Sequence, residues 1–290
     1  MTNLWAHSVC MKNILVPTDF SENSKNALKY SQILFNSLEC NFYILFVGTL
    51  LDSQTNSFGV LPKLNNDEPK EDAKERLADL VDGFKKQNTN GKHHFYPLLE
   101  FGFFVPTIRK QLEEKDIELI VMGTKGASGL KEKVVGSNAG DVITKVQCNT
   151  LVIPNDVEFH LPQEIAFPTD FNIFYSHYIL RSIEEMLEVG SGKLRIMNAI
   201  RNGDGLSIEQ ETNKEYLFDY LEESFQERFS FHTVTNKNVK SAIQCFVESR
   251  DVEMIIMVAK NLNFIEQILF DPIVEKISFH TKIPFYVIHE

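Results

Sequence analysis

Between an apolar run ending at Met122 and a helical pattern opening at Ser137 lies the segment Gly123-Thr124-Lys125-Gly126-Ala127-Ser128-Gly129-Leu130-Lys131-Glu132-Lys133-Val134-Val135-Gly136-Ser137-Asn138. Glycine lacks a Cβ, so it lets backbone N–H groups come close to an anion and adopts positive φ without strain. Gly136-Ser137 would open a helix whose N-terminal dipole favours negative charge, and Ser137 adds a hydroxyl donor. The chemistry these residues could do is to cradle phosphate. The plainer reading is a tight strand-to-helix connection, in which Lys125 is a solvated loop charge. A second strand-to-helix loop carries Pro17-Thr18-Asp19-Phe20-Ser21. Asp19 reads there equally as a helix-capping carboxylate beside Ser21 and as a ligand contact.

Other chemistries find no footing. No lysine follows a glycine loop in Walker A fashion, and neither a G-x-S-x-G elbow nor a kinase catalytic loop is present. The four cysteines, Cys10, Cys40, Cys148 and Cys245, form no C-x-x-C pair, which suggests neither a zinc site nor a disulfide framework and fits a reducing compartment. Among eight histidines, His93 and His94 are neighbours on a predicted strand and point to opposite faces, so they read as structural or solvated. A net charge of −11 with no basic stripe argues against nucleic acid as the main partner. No apolar stretch approaches the roughly 20 residues of a membrane span.

The elements that must position the loops follow from pattern. At 290 residues, 43% hydrophobic and 24% charged, the chain suits two globular domains. Ile14-Leu15-Val16-Pro17-Thr18-Asp19-Phe20 matches Ile165-Ala166-Phe167-Pro168-Thr169-Asp170-Phe171, and Asp116-Ile117-Glu118-Leu119-Ile120-Val121-Met122 matches Asp251-Val252-Glu253-Met254-Ile255-Ile256-Met257. This internal repeat divides the chain into residues 1–155 and 163–290, joined by a linker from Pro154 to Pro162.

In the first half, strands are predicted at Asn13–Val16, Phe42–Val47, near His94–Leu99, at Leu119–Met122 and at Thr150–Ile153. Helices begin after Ser21 as N-cap, with Ala27, Leu28, Ser31, Leu34 and Leu38 near one face, around Ala73–Phe84, near Pro106–Glu114 and after Gly136. The second half repeats the plan, with strands near Glu164–Phe167, Lys193–Met197, Phe229–Val234, Met254–Met257 and Phe285–Ile288. Short apolar strands alternating with helices predict a doubly wound α/β fold, a parallel sheet covered on both faces, twice over. In such sheets ligands bind at the carboxyl ends of the strands, where strand order reverses. The domain pattern begins at Lys12, which places an expected translation start at Met11 and makes residues 1–10 dispensable. The long segment Leu50–Pro69 reads as disordered or as a lid over a ligand.

The spacing Gly123-x2-Gly126-x9-Gly136-Ser137 resembles the universal stress protein family, whose ATP-binding members carry G-x2-G-x9-G-[S/T] here. Val16-Pro17-Thr18-Asp19-Phe20-Ser21 and Asn149-Thr150-Leu151-Val152-Ile153-Pro154 are similar to that family's first and last strands. The resemblance implies a tandem, UspA-like member with two five-stranded parallel sheets of the adenine nucleotide alpha hydrolase-like fold. It implies that Pro17, Thr18 and Asp19 face adenine and ribose, that the Val47 main chain meets the adenine edge, and that Gly123, Gly126, Gly136, Ser137 and Asn138 hold the phosphates of ATP, with Mg2+ shared by phosphate oxygens. It further implies a cytoplasmic stress-response regulator. The last strands of its two domains, Leu151–Ile153 and Phe285–Ile288, would pair within one chain, with a homodimer of the whole chain left open.

The second half departs from the motif. Aligning Met257 with Met122 puts Val258, Asn261, Asp271 and Pro272 where Gly123, Gly126, Gly136 and Ser137 stand. A branched side chain, an acid that repels phosphate and a residue without N–H are all hostile to the anion. ATP is therefore expected in the first domain alone. Competing expectations are a slow metal-dependent ATPase, with Asp19 orienting a water, and a structural adaptor that holds no nucleotide in either half.

Overall fold

The computed structural model describes residues 11–48, 68–124, 137–200, 205–260 and 282–290. In the first half, β1 (Lys12–Pro17), β2 (Cys40–Gly48), β3 (His93–Phe101), β4 (Leu119–Gly123) and β5 (Asn149–Ile153) alternate with α1 (Glu22–Leu34), α2 (Glu68–Gln87), α3 (Phe104–Glu114) and α4 (Ser137–Lys145). In the second, β6 (Glu164–Pro168), α5 (His177–Gly190), β7 (Lys193–Ile200), α6 (Ile208–Phe225), β8 (Phe229–Thr235), α7 (Val239–Ser249), β9 (Met254–Val258) and β10 (Phe285–Ile288) follow.

All ten strands form one sheet in the order β3-β2-β1-β4-β5-β10-β9-β6-β7-β8. Pairing is parallel within each half, and the chain order reverses between β1 and β4 and again between β6 and β9. The halves meet where β5 and β10 run antiparallel, with Phe285 opposite Val152, Tyr286 opposite Leu151 and Val287 opposite Thr150. Each half thereby covers the edge strand of the other, which would otherwise expose unpaired N–H and C=O groups.

Strands with both faces apolar are what a sheet covered on both sides requires. Ile14, Val16, Val121 and Leu151 point to one face, under α1, α2, α5 and α6, while Leu15, Ile120, Met122 and Val152 point to the other, under α3, α4 and α7. Both core layers run across the seam, since Tyr286 and Ile288 join the first and Phe285 and Val287 the second. Asn149, 6% exposed, stitches the seam with its side chain. Its Nδ2 donates to the Tyr286 hydroxyl at 3.0 Å and to Ser182 Oγ at 3.2 Å, and its Oδ1 accepts from the His289 backbone N–H at 2.9 Å.

The repeat seen in the sequence holds at the level of single hydrogen bonds. Thr18 N donates to Leu45 O at 2.8 Å, and Thr169 N to Met197 O at 2.9 Å. Asp116 and Asp251, which begin the second pair of matched segments, share a left-handed φ of 48°, a conformation that aspartate tolerates better than most residues.

Some boundaries differ from the sequence reading. Helix α3 starts at Phe104, because a proline at its third position, Pro106, lacks only an N–H that the first turn leaves unpaired in any case. Helix α1 stops at Leu34, so Leu38 lies beyond it, and the helix instead buries Tyr30 at 2% exposure. His93 is buried and His94 exposed. The segment expected as a lid lies outside the described residues up to 67, and α2 has begun by Glu68.

Candidate functional site

Pro17, Thr18 and Asp19 lie at the carboxyl end of β1, Val47 near that of β2, and Gly123 closes β4. Strands β1 and β4 are the neighbours between which strand order reverses, so these residues border the crevice where such sheets bind ligands. Ser137 and Asn138 are the first two residues of α4, both exposed, with no acid in that first turn to oppose an anion. Gly126 and Gly136 lie outside the described residues.

The turn after β1 is built by its own side chains. Thr18 Oγ1 accepts from the Phe20 N–H at 3.0 Å and exchanges a hydrogen bond with Ser24 Oγ, also at 3.0 Å. Asp19 Oδ1 accepts from the N–H of Ser21 at 3.0 Å and from its hydroxyl at 2.5 Å, while Ser21 caps α1 by accepting from Ser24 N at 3.3 Å. Together these hold Phe20 at φ 64°, uncommon for a bulky side chain. The second half repeats the device. Thr169 Oγ1 accepts from Phe171 N at 3.1 Å, Asp170 Oδ1 accepts from Asn172 N at 3.1 Å, and Phe171 sits at φ 57°. The Pro-Thr-Asp-Phe tetrapeptide is thus explained by a turn common to both halves, and Asp170 persists for that turn whatever binds nearby.

Gly123 has a neighbour the sequence did not reveal. A Cβ built on it would stand 2.7 Å from Cγ and Nδ2 of Asn23, so a glycine is needed to admit the amide of α1. Beside the turn, the Phe20 ring stacks on Phe46 with centroids 4.7 Å apart, and the Arg76 guanidinium of α2 lies 4.3 Å from the Phe20 centroid. Flat rings and a cation border the β1–β2 side of the crevice. Phe20 and Phe46 stand at strand ends in the sequence, a signal that could have marked them; nothing in the helical pattern marks Arg76 or Asn23.

The corresponding turn of the second half has different neighbours. Tyr175, fully buried, shares a hydrogen bond of 2.6 Å with Thr169 Oγ1, the partnership that the smaller Ser24 makes in the first half. Val258 stands where Gly123 does and joins Tyr175 in the core. The carbonyls of the turn are taken by side chains: Asn198 Nδ2 donates to Thr169 O at 2.8 Å, Gln210 Nε2 to Asp170 O at 2.7 Å and Asn213 Nδ2 to Phe171 O at 2.9 Å. Asn261, Asp271 and Pro272 lie outside the described residues.

Comparison with known proteins settles the kinship. The model of the universal stress protein family matches residues 11–154. A universal stress protein of Methanocaldococcus jannaschii is 30% identical over 147 residues, which are 49% of this chain and 81% of the relative. The chain belongs to the universal stress protein family. A second universal stress protein of that organism is 29% identical over 158 residues, 50% of this chain and 96% of the relative. The crystal structure of a universal stress protein from Archaeoglobus fulgidus matches the ten-stranded fold with a TM-score of 0.65 at 20% identity, covering 96% of this chain and 98% of that one. At that identity the match concerns the fold.

Two further properties bear on what this universal stress protein does. Burial pushes the thiols of Cys40 and Cys148 up to about 12, so neither is a ready nucleophile. Among the described residues, no helix is long and apolar enough to cross a membrane, and no His, Cys, Asp and Glu side chains gather as a set that could hold a metal ion.

Proposed function

We propose that this universal stress protein is an ATP-binding regulator whose first domain, residues 1–155, holds the nucleotide while the second, residues 163–290, serves as its fixed partner across the seam. The contrast between two crevices built on the same turn carries this reading. In the first half small residues stand at the end of β4, Gly123, and against the Thr18 hydroxyl, Ser24, and Ser137 at the opening of α4 is exposed. In the second, the larger Tyr175 and Val258 stand at the corresponding positions and are buried in the core, and the turn's carbonyls are bonded within the protein.

Pro17, Thr18 and Asp19 would border the base and ribose with Val47. The N–H groups around Gly123, Gly126 and Gly136, with the hydroxyl of Ser137 and the amide of Asn138, would meet the phosphates. A divalent cation such as Mg2+ would arrive with the triphosphate, held through its oxygens. A bound triphosphate would touch the turn after β1 and the start of α4 at once, and so can change which surface is offered to a downstream partner.

Calorimetry of the full chain with ATP and magnesium tests the proposal. The expected result is one site per chain, weakened at least about hundredfold by Gly136→Asp, because a carboxylate near phosphate costs ~3 kcal/mol even at a moderately high effective dielectric. Two sites, or an affinity indifferent to Gly136→Asp, would overturn it.

A further inference from the structure

A separate cavity of about 470 Å³ opens where the linker, α1, the end of α7 and the entries to β9 and β10 come together. It lies between the halves, since Tyr30 comes from the first domain while Glu253 and Ile283 come from the second. One part of its wall is apolar, formed by Val157, Val252, Ile283 and Pro284. The remainder is acidic. Glu158, Glu248, Asp251 and Glu253 line it, against the single ammonium of Lys282 and the imidazole of His160. That imidazole stands 3.6 Å from a Glu158 oxygen and 3.7 Å from a Glu253 oxygen.

The acidic wall alone would be a solvated surface. Two observations make it more. The Glu253 carboxylate is fixed in place, accepting from the backbone N–H of Gln163 at 2.5 Å and of Glu164 at 3.3 Å. Tyr30 lines the same cavity at 2% exposure, and among the described residues its hydroxyl makes no hydrogen bond to protein. A buried phenol ordinarily finds a partner. Tyr30 and Glu253 both line this cavity, and burial together with the Glu253 charge holds the Tyr30 phenol protonated.

We propose that this cavity binds a small organic ammonium ion, whose N–H groups donate to the Tyr30 hydroxyl and the Glu253 carboxylate while its alkyl stem packs on Val157, Val252 and Ile283. A cation matches the excess of carboxylates, and charge-assisted hydrogen bonds are the strong ones in a sheltered site. An alkyl stem accounts for the apolar wall, which a bare metal ion would leave in contact with water. The carboxylates do not converge as a metal set among the described residues. The site is distinct from the nucleotide crevice, though both touch α1, through Tyr30 here and Asn23 there. An occupant would tie linker, first domain and second domain together.

The test is calorimetric titration of the full chain with butylamine, putrescine, butanol and magnesium chloride, in the absence of nucleotide. Butylamine and putrescine are expected to bind at one site and butanol to give no heat of binding. Tyr30→Phe should raise the amine Kd roughly tenfold, and Glu253→Gln by at least as much, with circular dichroism and the urea midpoint checking each fold. Because Glu253 also holds two backbone N–H groups, Glu158→Gln serves as a second charge variant, expected to weaken binding several-fold with no loss of structure. Binding of magnesium but not of amines, equal binding of butanol and butylamine, or variants that leave amine affinity unchanged would overturn the proposal.

Discussion

Gly123→Ala is the substitution whose cost can be worked most directly from the structure. A Cβ at this position would lie 2.7 Å from Asn23 Cγ and Nδ2 and 2.9 Å from Oδ1, whereas carbon contacts settle at about 3.5–4.0 Å. The amide must retreat by nearly ~1 Å. It has little room to do so, because Asn23 is 6% exposed and sits in the first turn of α1, beside the capped Ser21. Overpacking of this kind costs about 1–3 kcal/mol. Shortening the obstructing side chain in Gly123→Ala/Asn23→Ala should return much of that loss, giving a coupling energy of about 1–2 kcal/mol in a double-mutant cycle. Equilibrium urea denaturation of the four proteins measures it. A Gly123→Ala protein within ~0.5 kcal/mol of wild type, or a double variant whose losses simply add, would refute the view that Asn23 dictates glycine at the end of β4.

Two further outcomes follow from the seam and its buried ring. Asn149→Ala removes three bonds that cross between the halves and leaves the buried Tyr286 hydroxyl and the His289 N–H short of a partner, so urea denaturation should show a loss of about 2–4 kcal/mol; a loss below ~1 kcal/mol would contradict the role given to Asn149. Burial holds His289 down at about 4, against 6.5 for a free imidazole. On acidification the unfolded chain therefore takes up this proton first, so the stability contributed by the neutral ring is whole above pH 6.5 and drains away as pH falls towards 4, on the order of 3 kcal/mol at most. His93 is lowered by burial too and adds in the same direction. His289→Gln should flatten the fall in urea midpoint across that range, and identical pH profiles for variant and wild type would refute it.

How much of this was legible beforehand depends on the range of the interaction involved. Strands stood out because a sheet covered on both faces demands unbroken apolar runs, and Phe285–Ile288 was found to the residue. The N-cap at Ser21 was legible because capping is settled within a few residues. Asp19 accepts from the N–H and hydroxyl of the N-cap residue Ser21, so it braces the cap and the helix N–H is taken by Ser21 itself. Tyr30 escaped notice as a cavity residue, since the linker and the strands of the other half that share its cavity lie far away in sequence. Asn23 escaped for the same reason, since only the crossing of α1 over the end of β4 brings it against Gly123. The differences between the two turns were foreseen only in part. Val258 announced itself by alignment, whereas Tyr175 reaches Thr169 through a longer β6–α5 turn that shifts the whole helix start to Ser176.

The central claim is that the first crevice takes ATP and the second is closed by its own side chains. It is tested most directly by a crystal structure of the full chain grown in excess ATP and magnesium. The account predicts triphosphate density between the Thr18 turn and the Ser137 end of α4, with Tyr175 still seated on Thr169 in the second half. Nucleotide in the second crevice with Tyr175 displaced, or none in the first, would contradict it.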